Sequence, residues 1–266
     1  MQLSRTKWLP SSLRDLMPEF LDYIVSLVAA NKPFLPLLDV TTASKRDFYL
    51  YAPEVGGSSI LIASDLMKMS PSSQIVVLSE NLSTERAEHF RQTILDFPPQ
   101  VQFKSFSDLK KREGDSEPEK VLISINHAHL LSDQELLLRI SEMMAKFDQI
   151  IIGEGNNKSA RQVIGMLLLS PLVAFFCGPL VKPLKTSRLF FTYLLPLLPI
   201  MIAWDGIVAL FKIRSPERLK ELIEDIPTPG WTWQTGKLPN NRGGFIIYLK
   251  GIKPFYTHHN PEKAIT

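Results

Sequence analysis

Five short runs of β-branched and aromatic residues punctuate the chain up to residue 153, with helical patterns or loops between them. They occupy residues 47–52, 74–79, 101–105, 121–125 and 149–153. Strands and helices that alternate at this spacing predict a parallel sheet with right-handed crossovers. Two more runs, 231–235 and 244–249, flank an Asn-Asn-Arg-Gly turn and indicate an antiparallel hairpin at the sheet edge. We therefore expect an α/β fold with a mostly parallel seven-stranded sheet.

The stretch 47–67 predicts a strand, a tight turn and a helix. An aromatic run ends near Tyr51, the turn contains Gly56 and Gly57, and two serines then precede an apolar helical run. In an open α/β sheet this first turn lies at the carboxyl ends of the strands, where backbone N–H groups can hold a ligand. An ordinary connecting loop is the alternative, because Gly-Gly pairs follow many strands.

Polar residues follow three other predicted strands at the same edge of the sheet. Glu80 ends the second strand, the segment Asn126–His129 follows the fourth, and Glu154 ends the fifth. In nucleotide-binding α/β folds an acid at the second strand accepts hydrogen bonds from ribose hydroxyls. A solvated loop acid and structural histidines are the alternatives for these positions.

Composition excludes several classes of protein. The net charge is only +3 and the basic residues are scattered, so nucleic acid is not an expected partner. A single cysteine, Cys177, excludes intramolecular disulfides and cysteine-ligated metal sites and suits the cytoplasm. His258 and His259 have no third ligand nearby in sequence, so we expect no metal site. No apolar run of signal-peptide length follows the basic residues of the first 16 positions, so we expect this segment to belong to the mature fold rather than to a secretion signal.

Two segments are expected to cover the sheet within a single domain of residues 1–266. Residues 1–46 predict a helical lid, with an amphipathic helix from Ser11 or Ser12 to about Ala30. Residues 159–212 form an apolar insert with two runs long enough to span a bilayer, and a membrane hairpin is one interpretation. Four prolines divide these runs, and a charge such as Asp205 near the middle of a spanning helix costs about 2.5–3.5 kcal/mol. We therefore expect a helical cap over the carboxyl edge, with Trp204 and Asp205 lining an apolar pocket.

The order of these elements resembles the Rossmann-like fold of class I S-adenosylmethionine-dependent methyltransferases. Segments such as WLPSSLRDLMPEFLDYIV, SRLFFTYLLPLLPIMIAWDGIV and SPERLKEL are similar to one bacterial branch with an apolar insert. The resemblance implies that S-adenosylmethionine is the cofactor. It also implies roles for particular residues. Glu80 matches the acid that holds the cofactor ribose, and Ser105 and Phe106 lie where the family has an acid and a neighbour of the adenine. Asn126 belongs with His127 and His129 to the segment that lines the methyl-transfer site, and Glu154 matches an acid that ends the fifth strand and is a candidate to orient a base or contact the substrate.

The glycine turn departs from the family pattern. Tyr49 stands where the family has an acid, and Pro53, Glu54 and Val55 occupy glycine positions, leaving Gly56 and Gly57. Proline lacks a backbone donor, and a side chain at a position that needs a positive φ costs about 1–2 kcal/mol. We therefore expect weakened cofactor binding.

Two classes of function follow from the resemblance. The first is a methyltransferase-like enzyme that acts on a small apolar or aromatic substrate, with His127 or His129, whose ordinary pKa is about 6.5, as a base. The second is a non-catalytic relative that binds a ligand or a partner subunit. A membrane-associated protein, in contact with the membrane surface through the insert, is a further alternative.

Overall fold

The computed structural model describes residues 2–6, 8–27, 29–38, 46–52, 60–80, 101–110, 117–227, 229–240 and 243–253. Several predicted features lie outside these ranges: the turn with Gly56 and Gly57, the helix predicted at 83–96, and the tail with His258 and His259.

Seven strands form one mixed sheet in the order β3-β2-β1-β4-β5-β7-β6. The neighbours from β3 to β5 pair in parallel, and β7 pairs antiparallel with both β5 and β6. This order and orientation confirm the predicted α/β, class I methyltransferase fold. The strands are β1 (Arg46–Tyr51), β2 (Ile75–Ser79), β3 (Gln102–Ser105), β4 (Glu119–Ile125), β5 (Gln149–Glu154), β6 (Thr232–Pro239) and β7 (Phe245–Ile252).

Eight α-helices are described, with short 3₁₀ turns between some of them. They are α1 (Ser11–Arg14), α2 (Leu16–Leu27), α3 (Ala63–Met69), α4 (Asp133–Met144), α5 (Ala160–Cys177), α6 (Thr186–Leu189), α7 (Leu197–Lys212) and α8 (Pro216–Glu224). A capping box between Ser132 and Glu135 starts α4, and Ser215 caps α8, whose first residue is a proline.

The sheet is buried on both faces because its central strands are apolar at nearly every position. Side chains alternate between faces along a strand, so Tyr49 and Tyr51 join the core beneath α4 and α8. Phe48 and Leu50 join the opposite core, which includes α3 and Phe34 of the 3₁₀ turn Lys32–Leu37.

The N-terminal helix differs from the prediction in its continuity and its partner. It divides at Asp15 into α1 and α2. Leu21 and Leu27, which the amphipathic pattern places on the apolar face of the predicted helix, are exposed. The buried residues of these helices pack with residues of α5 and α7 rather than with the sheet. The buried face of α2 is narrower than the predicted apolar face because the helix packs on one side only, against α5 and α7.

The insert forms an antiparallel helical hairpin of α5 and α7. Gly206 lies against Met166, and the Tyr193 hydroxyl donates to the carbonyl oxygen of Phe175 at 2.6 Å. At its base, Leu210 and Ile213 join the core on one face of the sheet.

The described residues contain one helix, Ala160–Leu180, long and apolar enough to cross a membrane, and a second such stretch, Thr186–Lys212, that is bent by 82°.

Burial of Tyr49 predicts a loss of stability at alkaline pH. Burial, with Asp47 nearby, raises the pKa of the Tyr49 phenol from 10.0 to about 12. The ionised phenol is thus disfavoured in the folded chain, so its contribution is complete below pH 10 and is lost as the pH rises towards 12. Unfolding free energies measured across this range should fall less steeply for Tyr49→Phe than for the wild type. Equal slopes would contradict the burial effect.

Candidate functional site

Four strand ends bring the predicted site residues to the carboxyl edge of the sheet. Glu80 directly follows β2, Ser105 ends β3, Asn126 follows β4, and Glu154 ends β5. In open α/β sheets the ligand crevice lies outside this edge.

Glu80 is held by two neighbours on the same carboxylate oxygen. The Tyr51 hydroxyl donates to Glu80 Oε1 at 2.7 Å, and Arg139 of α4 forms an ion pair with Oε1. Burial and hydrogen bonding to Glu80 raise the pKa of Tyr51, so the phenol stays protonated and donates. Within the described residues, Oε2 has no protein partner. It is therefore the oxygen that can accept a hydrogen bond from a ligand.

A cavity of about 480 Å³ opens beside Glu80. Phe106 forms one wall, where its ring contacts Tyr51 edge-on at 5.7 Å between centroids. Lys146 and Arg139 also line the cavity, with Lys146 Nζ 4.7 Å from the centre of the Phe106 ring. Small-molecule sites typically occupy about 300–1,000 Å³, so a nucleoside fits this volume.

Asn126 joins the ends of β4 and β5. Its φ is 61°, a left-handed conformation that asparagine tolerates better than most residues. Its backbone N–H donates to the carbonyl oxygen of Gly153 at 2.8 Å, and its side-chain oxygen accepts from the Gly155 N–H at 2.7 Å. Asn126 therefore fixes the backbone at the edge between Glu80 and Glu154.

His129, which is partly exposed, pairs with the buried Glu154. Glu154 accepts from the His129 backbone N–H at 2.8 Å, and its other oxygen lies 2.9 Å from His129 Nδ1. A carboxylate at one ring nitrogen orients the imidazole and leaves Nε2 for another partner. His127 is also buried, and its ring packs edge-on against Tyr51 at 6.0 Å.

A second cavity of about 450 Å³ extends from His129 toward the base of the insert. Its lining includes four basic residues: Lys158, Lys212, Arg214 and Arg218. Asp133 also lines it, and hydrogen bonds from Arg218 and Arg214 lower the pKa of this carboxyl. The exposed apolar side chains of the insert do not line either cavity.

Trp204, Asp205 and Tyr49 lie away from these two cavities. Trp204 is exposed, whereas Asp205 is buried and accepts from the backbone N–H groups of Leu3 and Ser4 at 2.5 and 2.9 Å. Asp205 therefore anchors the N-terminal turn to α7. Tyr49 lies within β1, where its ring packs against Phe147, and the tyrosine that reaches Glu80 is Tyr51.

Tyr51, Arg139 and Lys146 also lie beside Glu80 or its cavity, although the sequence analysis does not name them as candidates. Tyr51 belongs to a run that predicts a buried strand, yet as the last residue of β1 it lies at the ligand edge. A spacing of seven residues in the helical pattern after β4 places Arg139 and Lys146 on the same side; Arg139 lies on α4, and Lys146 lies two residues beyond its last residue, Met144. That spacing was the available signal. Among the described residues no group of three or more His, Cys, Asp or Glu side chains could hold a metal ion.

The strand order and orientation are those of the class I methyltransferase fold. No family model matches the sequence, and no curated protein matches it. Solved structures that resemble it include PigF with SAH, at 12% identity over 90% of this chain and 59% of that chain, with a TM-score of 0.49. A SAM dependent methyltransferase from Aquifex aeolicus is 12% identical over 93% of this chain and 100% of that chain, with a TM-score of 0.46. A protein from Rhodobacter sphaeroides described as a Zn-dependent alcohol dehydrogenase is 10% identical over 84% and 90% of the two chains, also at 0.46. Identities this low leave the functional argument to the chain's own residues.

Proposed function

We propose that this protein binds S-adenosylmethionine in the cavity beside Glu80 and acts as a methyltransferase-type enzyme on a small apolar or aromatic substrate. The proposal rests on the way the two oxygens of the Glu80 carboxylate are used. Tyr51 and Arg139 both contact Oε1, so the carboxylate is oriented while Oε2 remains able to accept from ribose hydroxyls.

The adenine would lie against Phe106. This residue follows β3, lines the same cavity as Glu80 and is fixed by the ring contact with Tyr51. The spacing of the two residues across neighbouring strands suits a nucleoside, whose ribose and base would contact Glu80 and Phe106 respectively.

His129 is the residue best placed to accept a proton from the substrate. Glu154 holds its Nδ1 side and its backbone N–H, so the ring orientation is fixed and Nε2 is the nitrogen that would take the proton. The bound cofactor would supply the methyl group. The chain would contribute alignment of the two reactants, which is the main requirement for such a transfer.

A non-catalytic relative is the second candidate, and one contact favours it. The ion pair between Arg139 and Glu80 neutralises the acid that would hold the ribose. Together with the side chains in place of glycines in the first turn, this contact would lower cofactor affinity.

Replacement of Glu80 by Ala should weaken binding of S-adenosylhomocysteine at least tenfold. A hydrogen bond to a charged group contributes about 1.5–3 kcal/mol, and 1.4 kcal/mol is a factor of ten. Isothermal titration of the wild type and the variant with S-adenosylmethionine and S-adenosylhomocysteine measures this change. Glu221→Ala is the matched control, because Glu221 is an exposed carboxylate paired with Arg218 on α8.

Two other outcomes of the titration lead to different conclusions. If neither ligand gives heat at millimolar concentration, the protein is not a cofactor-dependent methyltransferase and the non-catalytic alternative replaces the proposal. If the wild type binds and Glu80→Ala binds equally well, the fold binds the cofactor but the residue assignment is wrong.

A further inference from the structure

The insert carries most of the exposed apolar surface of the described chain. Of 24 exposed large hydrophobic side chains, 17 lie between residues 164 and 211. We call this surface the apolar face; it consists of Ile164, Leu167, Leu168, Leu169, Leu172, Phe175, Phe176, Leu180, Leu184, Phe190, Tyr193, Leu194, Leu195, Leu197, Ile200, Trp204 and Phe211. A soluble monomer rarely leaves so much apolar surface together, so a partner is expected to cover it.

The apolar face offers very few hydrogen-bonding groups. On α5, Ser170 is the one hydroxyl-bearing residue after Gln162, and its hydroxyl donates back to the carbonyl oxygen of Met166 within the helix. A typical protein interface has about ten hydrogen bonds and a mixed composition. A helix whose polar groups are satisfied internally is instead what a lipid environment requires.

The exposed charges of the insert are positive. Residues 155–214 contain seven Lys or Arg residues and one acid, Asp205, which is buried. Of the seven, Lys185 and Arg188 pair with Glu19, and Arg214 pairs with Asp133. Lys182 is exposed at the tip of the hairpin, and Arg161 and Lys212 are exposed at its base. Cations that border an apolar surface attract anionic lipid headgroups.

The packing of the N-terminal helices indicates that the hairpin lies on the bilayer surface rather than across the bilayer. Phe20 and neighbouring residues of α1 and α2 pack with Val181 and Leu198 at the hairpin tip. This packing surrounds a buried ion pair between Glu19 and Arg188. A spanning hairpin would carry these helices, including the exposed Asp15, into the hydrocarbon, at a high cost in free energy.

We propose that the apolar face docks this protein on the surface of an anionic lipid bilayer, with the helical hairpin lying in the interface. The exposed Trp204 and Tyr193 are residue types enriched at the boundary between headgroups and acyl chains. The inference is independent of the cofactor proposal, since it uses no residue of the Glu80 cavity.

Flotation of the full chain with vesicles tests the proposal. The protein should float with vesicles of phosphatidylcholine and phosphatidylglycerol, and less with phosphatidylcholine alone. The double variant Leu168→Asp/Phe176→Asp should lower the vesicle partition coefficient at least tenfold, because each side chain loses about 1.5–3 kcal/mol of burial. Leu138→Asp on α4 is the matched control, being 64% exposed but outside the apolar face, and should float like the wild type.

Lys182→Gln should reduce binding to the anionic vesicles and leave binding to phosphatidylcholine unchanged. Three results would overturn the proposal. The wild type could fail to float; it could form a dimer in analytical ultracentrifugation that the double variant abolishes, without binding vesicles; or it could be released from cell membranes only by detergent and not by alkaline carbonate, which indicates a spanning hairpin.

Discussion

Replacement of Arg188 by Met is expected to lower the free energy of unfolding by about 3–5 kcal/mol. Arg188 is completely buried at the hairpin tip. It donates to Glu19 Oε2 at 2.5 Å and to the carbonyl oxygens of Val181 and Pro183 at 2.6 and 3.1 Å. Its removal leaves the buried Glu19 carboxylate with the more exposed Lys185 as an ion-pair partner, so most of the compensation is lost. Denaturant unfolding followed by circular dichroism measures the change.

A double variant separates the ion pair from the packing around it. Glu19→Gln combined with Arg188→Met should be less destabilising than the sum of the two single variants, because no unpaired charge remains. Arg218→Met is the matched control, since Arg218 pairs with Asp133 and Glu221 at the surface, where ion pairs contribute little to stability. An Arg188→Met variant as stable as this control would contradict the role assigned to the buried pair.

Phe34→Ala is expected to cost about 3–5 kcal/mol, the usual range for removing a buried phenylalanine ring. The Phe34 ring is 1% exposed and lies directly over Gly153 of β5. A Cβ atom at Gly153 would lie 2.1 Å from the ring, so this glycine is needed for close packing between the 3₁₀ turn and the sheet. Chemical denaturation of the variant gives the loss of stability.

The contact between Phe34 and Gly153 also predicts that the effect of a second substitution on stability depends on whether the Phe34 ring is present. Gly153→Ala in the wild type should cost about 1–3 kcal/mol by overpacking. In the Phe34→Ala background the clash is absent and the added methyl group fills part of the cavity, so the same substitution should be neutral or stabilising. An equal cost in both backgrounds would show that the ring does not determine the preference for glycine.

The strands could be predicted because each one is a continuous buried run. Ile75–Ser79 and Gln149–Glu154, for example, are buried at every position, and their predicted bounds differ from the observed ones by one residue at one end. The predicted layout, a mostly parallel seven-stranded sheet with an antiparallel hairpin at its edge, is confirmed, whereas the order of the strands in the sheet is given by the structure alone. Local pattern and global fold agree for this part of the chain.

A position at the carboxyl edge could be predicted only for residues that end or directly follow strands. Glu80, Asn126 and Glu154 are such residues, and the structure places them at this edge, while their roles stay predictions. Arg139 was not found, since a helix face turns toward Glu80 only in the packed structure. The orientation of the insert could not be predicted either, because an apolar helix has the same sequence pattern whether it covers a pocket or stays exposed. The exposed fraction of its side chains is known only from the structure.

A crystal structure of the protein with S-adenosylhomocysteine tests the central proposal most directly. We predict that the ribose hydroxyls will lie within hydrogen-bond distance of Glu80 Oε2, with the adenine against Phe106 and Arg139 still on Oε1. Ligand bound elsewhere, or a cavity beside Glu80 that stays free of ligand at saturating concentration, would contradict the proposed cofactor site.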